Sequence, residues 1–167
     1  MRIILACALA GILAAPAKAA ELPKEGKFDT TSCYTVTTND IAFSKTYTAT
    51  TYELVGATLS NPSGGMFDQQ SFRCVGLNTI INGKFSATTM CEAVDKDGDK
   101  ILTRLIVGGV EGVGQDDTHV GETAVLVGTG KYEGMTRTGT NENYPILSAK
   151  PGLVQRCGRA TGTYKLK

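Results

Sequence analysis

Reactive side chains are few. The chain has one His, no Trp and five Cys. His119 ends the run Gln115-Asp116-Asp117-Thr118-His119, with Glu122 three residues on. Two carboxylates and an imidazole can hold a divalent ion. A solvated connection between strands uses the same residues, and that is the expectation here. A Ser-His-Asp triad would have to use His119, and no G-x-S-x-G elbow is present. Asp95-Lys96-Asp97-Gly98-Asp99 opens like a calcium loop. An EF-hand needs Gly at its sixth position and Glu at its twelfth, where this chain has Lys100 and Ile106. A hairpin turn at Asp97-Gly98 is expected instead. Gly128-Thr129-Gly130-Lys131 resembles part of a phosphate loop. Val125 replaces the first glycine of that pattern and Tyr132 its hydroxyl residue. These motifs imply no metal and no cofactor.

The cysteines are more informative. Cys7 lies in the first twenty residues, MRIILACALAGILAAPAKAA. Arg2, the apolar run 3–15 and Ala17-Lys18-Ala19 read as a secretory signal peptide, cut after Ala19 or Ala20. An exported protein, periplasmic or extracellular, is expected. Cys33, Cys74, Cys91 and Cys157 remain, an even number suited to two disulfides. Asn82-Gly83 is a strong two-residue hairpin signal. With those two residues as the loop, Ile81 faces Lys84 and Cys74 faces Cys91, close enough for a bond. Cys33 is left for Cys157. One lies in the first strand and the other beside the last, so in a closed barrel their bond fastens the seam.

Thr-rich and apolar runs alternate along the chain, separated by turn residues, with no helix-period segment of useful length. Strands are expected at 32–38, 46–57, 69–77, 85–94, 100–107, 122–128, 136–147 and 157–165. Turns are expected at Asn39-Asp40, 61–65, Asn82-Gly83, Asp97-Gly98 and 108–119. Residues 21–29 read as a loose lead. Eight antiparallel strands in one domain, 21–167, fit an up-and-down β-barrel or a sandwich.

The same registers give a candidate site. Arg73 faces Glu92 across the Asn82-Gly83 hairpin, and the Asp97-Gly98 turn sets Glu92 against Thr103. One face of this three-stranded patch carries Arg73, Val75, Leu77, Met90, Glu92, Thr103 and Leu105. It has more large aliphatic residues than the other face and is expected inward. Arg73 and Glu92 would then be a charged pair in an apolar lumen, the polar end of a ligand site. As catalytic candidates, Glu92 would be acid or base and Arg73 would orient a carboxylate or oxyanion.

The segment 123–139 resembles a signature of the allene oxide cyclase and dirigent barrel superfamily. In that pattern a strand runs into G-[ST]-G-x-[FY]-x-G and then a further long strand. Gly128, Gly130, Tyr132, Gly134 and Gly139 occupy the matching places. The resemblance implies an eight-stranded antiparallel barrel with an apolar lumen, often oligomeric. Activity does not carry over, because no residue here matches the family's catalytic positions.

Charge narrows the partners. The chain has 17 basic and 16 acidic residues; without Arg2 and Lys18, 15 basic face 16 acidic. A near-neutral chain without a basic cluster is not expected to bind nucleic acid. No later run is apolar enough for a membrane-spanning helix. The expectation is an exported barrel binding a small apolar or aromatic ligand. The alternatives are a cyclase or isomerase acting in the cavity and a ligand-free structural barrel.

Overall fold

Threonine and β-branched residues, which favour the pleated strand, alternate between turn dipeptides, and the chain folds accordingly. The structure is a computed structural model that describes residues 22–112 and 119–167. Residues 1–21, on which the signal-peptide reading falls, and residues 113–118 lie outside the described residues, as does the side chain of His119.

Eight strands follow one another: β1 Glu25–Ser44, β2 Tyr47–Ser60, β3 Gln70–Ile81, β4 Lys84–Val94, β5 Lys100–Glu111, β6 His119–Gly128, β7 Thr136–Ile146 and β8 Val154–Lys165. Each pairs antiparallel with the next, and β8 returns to β1 to close an up-and-down barrel. Closure gives every strand a neighbour on each side, with the β6–β7 ladder confined to His119–Glu122 against Thr140–Asn143. Residues 25–29, expected as a loose lead, belong to β1, where Phe28 is buried. Asn39-Asp40, expected as a turn, continues β1, and the chain reverses at Lys45-Thr46.

Both cysteine pairs form as expected. Cys74 faces Cys91 and Cys33 faces Cys157, with Cα separations of 4.0 and 4.1 Å and disulfides in both. Asn82 and Gly83 both have positive φ, as the two-residue loop requires.

The β4–β5 register differs by one residue from expectation. Glu92 faces Leu102, and Cys91 faces Thr103. The connection has five residues, 95–99, rather than a two-residue turn at Asp97-Gly98. The Asp95 carboxylate makes the difference. Its Oδ1 accepts from the Asp97 and Asp99 amides at 2.9 and 3.1 Å, holding an odd-numbered loop.

One end of the barrel is plugged. The 61–69 connection carries Met66 and Phe67 inward, and a single 3-10 turn, Gly130–Tyr132, carries Tyr132. With Phe28, Ile101, Met135 and Tyr164 they form the main core. Tyr132, 1% exposed, stacks on Phe67, and Gln70 Nε2 donates to its hydroxyl at 3.0 Å. Gly130 has φ 52, and a Cβ there would lie 1.8 Å from Asp99 Oδ1. Only glycine fits this turn.

Candidate functional site

Side chains of alternate residues enter the lumen, and the structure sets the parity. Phe72, Cys74, Ala87, Thr89, Cys91 and Ala93 point inward from β3 and β4. The opposite parity was expected. Arg73, Val75, Leu77, Met90 and Glu92 stand on the outer wall. Arg73 and Glu92 are cross-strand neighbours as expected, yet each takes another partner. Arg73 Nε donates to Glu53 Oε1 at 2.7 Å, and Lys100 Nζ donates to Glu92 Oε1 at 2.8 Å. The Glu53 and Glu92 carboxyls are held below the usual range by these cations, and the four groups are exposed. Thr103 and Leu105 do line the lumen. They do so because the one-residue slip at β5 compensates the inverted parity of β3 and β4.

Counting aliphatic residues misleads in a narrow barrel. Eight strands enclose little space, so small residues belong inside beside a few large rings. Gly76 shows this. A Cβ there would lie 2.3 Å from the Tyr52 ring, which crosses the lumen above it. Tyr52 and Thr89 join hydroxyl to hydroxyl across the interior.

The lumen encloses a cavity of about 320 Å³. It runs from Phe67 and Arg137 at the plugged end to Thr38 and Asp40, exposed at the opposite end. Its wall mixes apolar and polar groups. The β3–β5 side presents Phe72, the Cys74–Cys91 disulfide, Ala87, Ile101 and Leu105 together with Gln70, Thr89 and Thr103. The side made by β7, β8 and β1 presents Asn141, Asn143, Arg156 and Tyr34. Tyr34 donates to Asn143 Oδ1 at 2.9 Å and meets the edge of Phe72, its ring centroid 6.0 Å away. Burial pushes the Tyr34 hydroxyl up to about 12, although neighbouring Arg156 favours its anion. Asn143 and Arg156 are buried.

The loop that resembled a calcium site has another task. The Asp95 side chain is 1% exposed, and its Oδ2 lies 2.7 Å from Lys131 Nζ. Burial opposes its ionisation. Lys131, the Tyr132 hydroxyl and the Asp97 amide outweigh burial and hold the carboxyl below its usual range. Lys131 also reaches Asp97 Oδ2 at 2.8 Å, and its backbone amide donates to Asp99 Oδ2 at 3.1 Å. The 95–99 loop and the Gly130–Tyr132 turn thus lock together beneath the plug.

Sequence reasoning missed Tyr34, Phe72, Arg137, Asn143 and Arg156. A usable signal was present. Arg73, Glu53, Glu92 and Lys100 fit an exposed face with cross-strand charge pairs, and that alone sets the opposite parity inside. No known family model, characterised protein or solved structure matches the chain.

Proposed function

We propose that this protein is an exported binding module whose lumen holds one small molecule with an apolar or aromatic body. The observation that carries this reading is the cavity itself. It is plugged at one end, reaches exposed residues at the other, and mixes apolar groups such as Phe72, Ile101 and Leu105 with hydrogen-bonding ones such as Tyr34, Asn143 and Arg156. Its volume is at the small end of the range for ligand pockets, and an eight-stranded barrel can hold one such ligand. The likeness of 123–139 to the allene oxide cyclase and dirigent barrels supports a lumen that takes small molecules. The two disulfides are compatible with an oxidising compartment, in line with the signal-like first twenty residues. Among the described residues no helix is long and apolar enough to cross a membrane. The ion pairs on the outer wall suit contact with water.

Binding is preferred to the cyclase reading on one ground. The acid–base pair that catalysis was expected to use, Glu92 and Arg73, is on the outside. A direct test titrates residues 21–167 with methyl 2-naphthoate, a neutral aromatic probe, and follows its fluorescence. Saturable binding is expected. Thr103→Phe should fill the cavity and abolish binding while the circular dichroism spectrum stays unchanged. Unaltered binding to that variant would place the probe elsewhere and reject the reading.

A further inference from the structure

Arg137 is the unexplained residue of the lumen. It enters from β7 at the plugged end, where a packed floor needs no charge. Its guanidinium carbon lies 4.4 Å from the Phe28 ring centroid and 4.8 Å from that of Phe67. These contacts orient the guanidinium. Its Nε–H is buried and has no hydrogen-bond acceptor. It makes no ion pair among the described residues. Asp40, the carboxylate of the cavity lining, is at the exposed end. On the outer side Arg137 borders a shallow groove with Glu25, Lys27, Tyr164 and Lys165. Burial lowers Arg137 to about 10, which leaves it cationic at neutral pH.

A half-buried cation whose Nε–H is buried and unfilled is costly unless something completes it. A carboxylate does so best, because its two oxygens match the fork of the guanidinium. Phe28 and Phe67 leave such an anion dry surroundings, in which the pairing is stronger than in water. We propose that Arg137 is the anion-binding floor of the lumen, taking the carboxylate of a small aromatic or aliphatic acid whose body points toward Thr38 and Asp40. This rests on the lumen-binding reading above and adds the charge and orientation of the ligand.

The test compares two probes of nearly equal shape, 2-naphthoate and its methyl ester, on residues 21–167 at neutral pH. The acid should bind roughly tenfold more tightly or better, the scale of one charge-assisted hydrogen-bonded contact. Arg137→Met should erase that preference and leave ester binding in place. Because a variant can fail for reasons of folding, the wild-type protein supplies a second reading. The Arg137 Nε–H resonance should shift on adding the acid and stay in place on adding the ester. Equal affinities in the wild type overturn the inference and leave the binding reading standing. So does a preference that survives Arg137→Met, or one that disappears only in Arg156→Met. Failure of both probes to bind overturns the binding reading itself.

Discussion

The two ends of the barrel are built differently. At the plugged end Tyr132 and Phe67 are 1% and 3% exposed, and charged loops beneath them are tied together through Lys131. At the other end Phe43 is 89% exposed and Leu147 is fully so, with Ile41 and Ile146 also in contact with solvent. A small group around Phe85 and Val107 is the buried apolar cluster nearest that end. The contrast separates two tasks. One end closes the cavity and carries the larger core; the other leaves it accessible and carries only the smaller cluster of Phe85, Ala87 and Val107. Substitutions that destabilise should therefore crowd at the first end, and substitutions that alter access should be tolerated at the second.

The seam between β1 and β8 holds both ends in one barrel, so its disulfide sets the scale. Cys33 and Cys157 are 124 residues apart, whereas Cys74 and Cys91 are 17 apart. In the chain-entropy picture the longer loop contributes about 5 kcal/mol and the shorter about 3 kcal/mol. Urea unfolding of the two double serine variants should show that order. Equal losses would mean that the barrel is held shut by pairing and packing, independently of the seam bond.

Tyr132→Ala should cost about 3–5 kcal/mol, the range for removing a buried aromatic ring. Phe43→Ser should stay within about 0.5 kcal/mol, as exposed positions do. Thermal melts of the pair measure the contrast between the ends directly. Comparable losses would show that Phe43 is covered in solution and that the second end is packed after all.

An alkaline titration probes the interior between the ends. Tyr34 is neutral in the folded barrel up to about 12, whereas in the unfolded chain it ionises near 10. The folded state therefore keeps a proton that the unfolded state loses, and stability falls as pH rises from 10 toward 12. The loss is on the order of 2 kcal/mol. Tyr52 and Tyr132, also pushed up by burial, add to this fall, whereas Arg137 acts in the opposite sense, because its folded form releases a proton first. Tyr34→Phe should make the fall between pH 10 and 11.5 less steep than in the wild type. An unchanged slope would place the Tyr34 hydroxyl in water.

The architecture was legible in the sequence because its signals are local. Asn82-Gly83 fixes one hairpin by backbone chemistry alone, and that hairpin sets the Cys74–Cys91 pair. The parity of the lumen was not legible by the same means. It depends on how much volume eight strands enclose, a property of the closed barrel that no single strand carries. The β4–β5 slip was hidden for a related reason. Asp95 reads as a turn residue, but its carboxylate caps amides two and four residues on and adds a residue to the loop. Arg137 and Arg156 stand in strands rich in polar residues on both faces, so alternation there marks no inner side.

The outer-wall charges provide the smallest expected effect and test that parity. Arg73→Met and Glu92→Leu each remove one member of a solvent-exposed pair and leave its partner in water. Such pairs are screened by salt and held by flexible side chains. Neither substitution should change the melting temperature measurably in 0.15 M salt, and neither should alter binding of methyl 2-naphthoate. Had the two residues faced each other in a dry lumen, either change would leave a buried charge unpaired and destabilise the barrel severely, while changing both would restore it. The single variants therefore distinguish the two parities without a structure. A large loss in either one, rescued in the double variant, would turn β3 and β4 over and move the cavity wall to Val75, Leu77 and Met90.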